Sequence, residues 1–205
     1  MRLNDIRAAY DLVAEDYLAI LRHELVAKPF DRIALSAFAE VVSGPVVEVG
    51  CGPGRITAHL HSLGVDARGE DLSPAMVAVA RRAYPDLRFD VGAMTALDVA
   101  DGSLGGVVSW YSIVHTPLAE LPAVFTEFAR ALTPGGHALI AFKTGDAVHH
   151  LTRAYGHDLS LDVHWHPVDA VATAMTTAGL TELARLTRPA DEQEKGPQAW
   201  LIGRR

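Results

Sequence analysis

The segment Glu48-Val49-Gly50-Cys51-Gly52-Pro53-Gly54 holds the residues of this chain whose types and spacing point most directly to chemistry. Glycines at alternate positions make a tight turn and let backbone approach a ligand closely. Dinucleotide loops are spaced G-x-G-x-x-G, with amides and a helix N-terminus facing a pyrophosphate. Here the spacing is G-x-G-x-G. The acidic Glu48 ahead of the loop suits a ligand carrying an ammonium or a sulfonium better than one carrying a diphosphate. A second carboxylate, Asp71, follows the glycines at close to the roughly 20 residues at which an acidic side chain can accept hydrogen bonds from both ribose hydroxyls. Further on, His115 is a candidate general base, because a histidine titrating near neutrality can take a proton from an acceptor.

These residues need elements to position them. Val46, Val47 and Val49 read as a buried strand, and a helix is expected after the loop. Strand, glycine turn and helix make the first βα unit of a nucleotide-binding sheet, with the ligand outside the strand's carboxyl end. A second strand, Val65 to Gly69, runs into Glu70 and Asp71. Ser73 then caps a helix from Pro74 to Tyr84, with Pro74 in its first turn. Strands follow at Leu87 to Val91 and up to Trp110, and an amphipathic helix at Leu121 to Leu132. Thr133 to Gly136 reads as a turn before a fifth strand, His137 to Phe142. Residues 143–167 are less regular and contain His149, His150, His157, His164 and His166. A helix from Val168 to Ala178 closes at Gly179, and strands at Leu180 to Thr187 and Gln198 to Ile202 flank a polar loop, Arg188 to Pro197. Ahead of the sheet, Tyr10, Val13, Tyr17, Ile20, Leu21 and Leu25 recur at helical spacing across Ile6 to Val26. Lys28-Pro29 breaks that helix, and a second runs from Asp31 to Val41.

Composition bounds the function classes. The 205 residues are 49% hydrophobic and suit one α/β domain with a real core. A net charge of −7 offers no broad basic surface, so nucleic acid is not the expected partner. One cysteine excludes an internal disulfide and a cysteine-based metal site. His164 and His166 would share one face of an extended segment, but no spacing fixes a third ligand, so no metal is expected. No apolar run reaches the roughly 20 residues of a membrane span, and the polar start at Met1-Arg2-Leu3-Asn4-Asp5 is no signal-peptide core. A cytoplasmic protein is expected, with no membrane partner.

Glu48 to Gly54 matches, at every position, motif I of the class I S-adenosylmethionine-dependent methyltransferases: an acidic residue, an aliphatic, then G-C-G-x-G. Gly69-Glu70-Asp71-Leu72-Ser73 fits that family's G-x-D-x-S, and Leu132 to Gly136 its Leu-x-Pro-Gly-Gly. Ala9 to Tyr17 resembles its N-terminal Tyr-Asp…Ala…Tyr pattern. The resemblance, closest to small bacterial members, spans roughly Ala9 to the C-terminus. It implies a Rossmann-like, doubly wound α/β sheet of seven strands, mostly parallel with the last antiparallel, and helices on both faces. One domain is expected: a helical lid at 1–42, a cofactor-binding core at 43–142, a substrate-covering insertion at 143–167, and a helix with a strand hairpin at 168–205.

The implied cofactor is S-adenosylmethionine, and the implied reaction is in-line transfer of its methyl group to an oxygen, nitrogen or carbon nucleophile of a small molecule. Cofactor-binding positions carried over are Tyr10, Tyr17, Glu48, Gly50, Cys51, Gly52, Gly54, Arg55, Asp71, Leu72, Met76, Ala93, Met94, Ser109 and Trp110, with Met76 under the adenine. His115 is the candidate catalytic residue. Two departures stand out: Ala93 replaces an aspartate that would accept from the adenine amine, and Gly105 replaces the last acid of D-G-S-F-D. Two alternatives remain: an S-adenosylmethionine-binding partner protein without catalysis, and a nicotinamide oxidoreductase, which Glu48 and the glycine spacing disfavour. Monomer and homodimer are both open.

Overall fold

A computed structural model describes residues 3–192 and 194–205; Met1 and Arg2 of the N-terminal reading and Gln193 of the last loop lie outside the described residues. The chain begins with α1 (Leu3–Leu21), a 3₁₀ turn (Glu24–Ala27) and α2 (Pro29–Val41). The core alternates β1 (Val46–Val49), α3 (Arg55–Ser62), β2 (Ala67–Asp71), α4 (Pro74–Ala83), β3 (Phe89–Val91) and β4 (Leu104–Trp110). Then come α5 (Leu121–Ala131), β5 (Leu132–Lys143), β6 (Ala147–Ala154), β7 (His157–Trp165), α6 (Val168–Thr177), β8 (Thr181–Arg188) and β9 (Gln198–Arg204).

Seven strands form one sheet in the order β3-β2-β1-β4-β5-β9-β8. Neighbours from β3 through β5 are parallel, whereas β9 runs antiparallel to both β5 and β8. The mostly parallel sheet with an antiparallel last strand is therefore present. Burial on both faces explains the near-continuous valines of β1. Val47 and Val49 face one core with Phe125 and Phe128 of α5 and Val171 and Met175 of α6. Val46 faces the other, with Leu35 and Phe38 of α2 and Ile56 and Leu60 of α3. Among the described residues no helix is long and apolar enough to cross a membrane.

Three expectations need correction. The second strand is Ala67–Asp71 rather than Val65 to Gly69, so Asp71 ends the strand itself. The expected turn at Thr133 to Gly136 is part of β5, which pairs with β4 from Leu132 across a register shift. The region 143–167 is an ordered antiparallel hairpin, β6–β7, outside the main sheet.

Candidate active site

After β1 the chain turns through Gly50, Gly52 and Gly54, all at positive φ (69°, 54° and 83°), a region that L side chains rarely adopt. Space is equally restrictive at Gly54, where a Cβ would lie 2.6 Å from the Phe89 ring. The loop is tied to β2 through Asp71: the Gly52 N–H donates to Oδ2 (2.7 Å) and the Ser73 N–H to Oδ1 (2.8 Å). Burial pushes the Asp71 carboxyl above its ordinary value, and those two amide bonds oppose the shift. Ser73 caps α4 by accepting from the Met76 N–H (3.1 Å), and its own hydroxyl donates to Asp11 Oδ1 of α1 (2.6 Å). Asp11 also accepts from the Ala75 N–H (3.1 Å). The start of α4 thus clamps α1 beside the carboxyl ends of the strands.

Beneath α1 lies a cavity of about 450 Å³. Its lining includes eleven sequence candidates: Tyr10, Tyr17, Gly50, Gly52, Asp71, Leu72, Met76, Ala93, Met94, Trp110 and His115. The other five stand behind the wall. Glu48 is only 1% exposed and accepts from the Thr57 hydroxyl, so it packs under the loop rather than facing a ligand. Cys51 is buried against Gly69, where an added Cβ would come within 2.7 Å of its Sγ. Gly54 is the N-cap of α3. Arg55 is paired with Glu24 (3.0 Å), and the Ser109 hydroxyl is bonded to that of Ser112 (2.6 Å).

Sequence reasoning missed Leu3, Ile6 and Arg7 from the first turns of α1, and Thr116, Pro117 and Glu120 before α5. The apolar pattern at the chain start could have signalled the former. Tyr111, also lining, turns the chain out of β4 at φ 55°, a costly conformation for a non-glycine residue. No residue of 143–167 lines the cavity. The hairpin instead packs on α1 and on the 3₁₀ turn Ile113–His115, with Tyr155 against Tyr17 (ring centroids 4.7 Å) and His157 bonded to Asp16 (2.7 Å).

His115 is held on both ring nitrogens. Nδ1 lies 2.8 Å from the Asp162 carbonyl oxygen, which can only accept, so Nδ1 carries the hydrogen. Nε2 is then free to accept from the Tyr10 hydroxyl at 2.6 Å. Burial lowers the His115 pKa and raises that of Tyr10 well above its ordinary value. At neutral pH both are uncharged.

Burial lifts the Glu48 carboxyl from 4.5 to about 8, against the opposing bond from Thr57. The native state therefore keeps a proton that the unfolded chain releases above its ordinary value. This stabilising contribution is full below about pH 4.5 and is lost as pH rises through about 8. Glu48→Gln, which has no proton to lose, should flatten the fall in melting temperature between roughly pH 5 and 8, measured by circular dichroism. An unchanged slope would contradict this assignment.

A glycine loop after β1, a carboxylate ending β2 and a cavity at the strands' carboxyl edge define a Rossmann-like cofactor-binding domain. Residues 46–136 match the sequence model of a methyltransferase domain. The chain is 30% identical over 131 residues to malonyl-[acyl-carrier protein] O-methyltransferase of Erwinia billingiae, covering 63% of this chain and 51% of that protein. It is 31% identical over 142 residues to demethylmenaquinone methyltransferase of Beutenbergia cavernae, covering 67% and 58% respectively. The chain thus spans little more than half the length of these relatives. In fold it is similar to an S-adenosylmethionine-dependent methyltransferase of Methanosarcina mazei, with a TM-score of 0.73 at 15% identity over 82% of this chain and 96% of that one. Over residues 46–136 the chain is thus similar in sequence to methyltransferase domains, and in fold to a methyltransferase that uses S-adenosylmethionine.

Proposed function

We propose that the protein transfers the methyl group of S-adenosylmethionine to a small-molecule acceptor by in-line displacement, as a monomer or homodimer in the cytoplasm. The observation that carries this reading is the Asp71 carboxylate, anchored by two amides at the carboxyl edge of the sheet beside the Gly50 to Gly54 turn. Each of its oxygens has accepting capacity left for a ribose hydroxyl. The residues fit an adenosyl cofactor in charge as well: Asp71 and Glu120 line the cavity, and Arg7, its one permanent cation among the described residues, lies 3.7 Å from Asp11. When bound, the cofactor supplies an electrophilic methyl on a sulfonium.

The chain's own task is then to align a nucleophile and exclude water. Tyr10 and Tyr17 from α1, with Trp110 and Tyr111 after β4, wall the space in which an acceptor would sit. Ala93 brings no carboxylate to the cavity, so a grip on the adenine amine falls to backbone groups such as those of Gly92 to Met94. The protein's net charge of −7 supports a small molecule over a polyanion.

The test is incubation with methyl-labelled S-adenosylmethionine and fractionated small metabolites. Acceptor-dependent release of S-adenosylhomocysteine together with a labelled small product is expected. Tight adenosyl binding with no turnover in any fraction would instead favour a binding protein without catalysis.

A further inference from the structure

We propose that Tyr10 and His115 form a proton-accepting pair at the site of methyl transfer, and that the acceptor is a neutral hydroxyl compound, an alcohol or phenol, that loses its proton there. The proposal rests on the methyltransferase reading above. Both side chains line the cavity, although 105 residues separate them. The Asp162 carbonyl fixes the hydrogen on Nδ1, leaving Nε2 as a base whose hydrogen-bond partner is the Tyr10 hydroxyl. Tyr10 donates its single hydrogen to His115, so its oxygen keeps lone-pair capacity for a donor in the cavity. A hydroxyl acceptor supplies that donor.

The step balances. The acceptor oxygen forms its bond to the methyl carbon while the carbon–sulfur bond breaks and leaves its electron pair on sulfur. The acceptor proton passes to the Tyr10 oxygen as the Tyr10 proton passes to His115 Nε2, giving an imidazolium still bonded to Asp162. Burial disfavours an imidazolium, but the sulfonium charge disappears in the same step, so the net charge of the site is unchanged. Carboxylate acceptors, already ionised at neutral pH, need no such pair, and they would meet Asp71 and Glu120 in a cavity whose one arginine among the described residues is beside Asp11.

The charged and titratable groups around the pair come from four elements and from the turn between β6 and β7. His164 and Asp162 of β7 and Lys143 at the end of β5 act on His115, and Tyr17 of α1, Tyr155 beyond β6 and Asp71 of β2 act on Tyr10. The Asp162 carboxylate itself is bonded to His150 (2.8 Å).

The test is ¹⁵N-histidine NMR across a pH titration of the protein bound to S-adenosylmethionine and to S-adenosylhomocysteine. His115 should show an unprotonated Nε2 when neutral, and titrate about one unit or more higher in the S-adenosylhomocysteine complex, where the sulfonium charge is absent. Tyr10→Phe should raise the His115 pKa in both complexes, since a bond to the neutral ring is lost. A hydrogen on Nε2, or equal pKa values in the two complexes, overturns the pair.

A kinetic arm uses p-cresol and simple alcohols against iodide, a nucleophile with no proton. Tyr10→Phe should lower methylation of the hydroxyl probes by about 100-fold more than it lowers methylation of iodide, and an equal loss on both probes overturns the pair. Wild-type protein that methylates iodide but none of the hydroxyl probes overturns the acceptor class. Failure of both adenosyl ligands to bind brings down the methyltransferase reading itself, a separate and recognisable outcome.

Discussion

Gly105→Ala should lower the melting temperature by about 10 °C, and Gly105→Asp should leave no cooperative unfolding transition. A Cβ at position 105 would fall inside the Ser43 carbonyl oxygen, with the Gly44 backbone also close at 3.2 Å. Both obstacles are main chain, so no rotamer change can make room. Either β4 or the segment leading into β1 must move, and these two strands pair side by side, with Val46 opposite Gly106. The Gly105 N–H also donates to the Pro45 carbonyl oxygen (2.8 Å), a bond the shift would break. The crowding gives a physical reason for the departure at this position: the acid found in D-G-S-F-D does not fit this entry into β4. Gly64→Ala is the control. Gly64 has positive φ but nothing within 4 Å of an added Cβ, so only the roughly 1–2 kcal/mol of left-handed backbone strain should appear. Equal losses at the two positions in thermal scans would contradict the packing argument.

Asp71→Ala should weaken S-adenosylhomocysteine binding by roughly 10- to 150-fold, the equivalent of about 1.5–3 kcal/mol for hydrogen bonds to a charged group. The loss has two sources. The ribose partner is removed, and the N–H groups of Gly52 and Ser73 are left without their acceptor in a site where Asp71 is only 8% exposed. The glycine turn then loses its tie to β2. Asp71→Asn should recover little, because its amide NH₂ faces one of two backbone donors. Calorimetric titration of each variant measures the effect, and wild-type affinity in Asp71→Ala would place the ribose elsewhere.

Much of the cofactor half was legible because local rules and tertiary structure agree there. Val46 to Gly54 combines a buried strand with glycines whose positive φ only that residue tolerates well, and Ser73-Pro74 is a strong helix start. The hairpin was not legible. β6 is exposed at most positions, so its sequence lacks the apolar alternation that marks a half-buried strand. Its turn places Tyr155 and Gly156 at φ 53° and 86°, a geometry usually signalled by Asn-Gly. Tyr155 takes that conformation while its ring packs on Tyr17, a long-range contact that turn chemistry does not reveal.

The same separation hid the bond between Tyr10 and His115. Tyr10 and Tyr17 read equally well as two turns of a core stripe, and His115 as a loop histidine. Only the fold brings α1 over the end of β4. Glu48 illustrates the reverse case: motif spacing sets it beside the glycine loop, and strand alternation turns its side chain beneath that loop to Thr57.

The measurement that tests the account most directly is isothermal titration of the wild-type protein with S-adenosylmethionine, S-adenosylhomocysteine and NADH. Dissociation constants in the roughly micromolar range for both adenosyl ligands, with no response to NADH, are the predicted result. Binding of NADH without either adenosyl ligand, or of none of the three, would contradict it and leave the turn from Gly50 to Gly54 to be explained by another ligand.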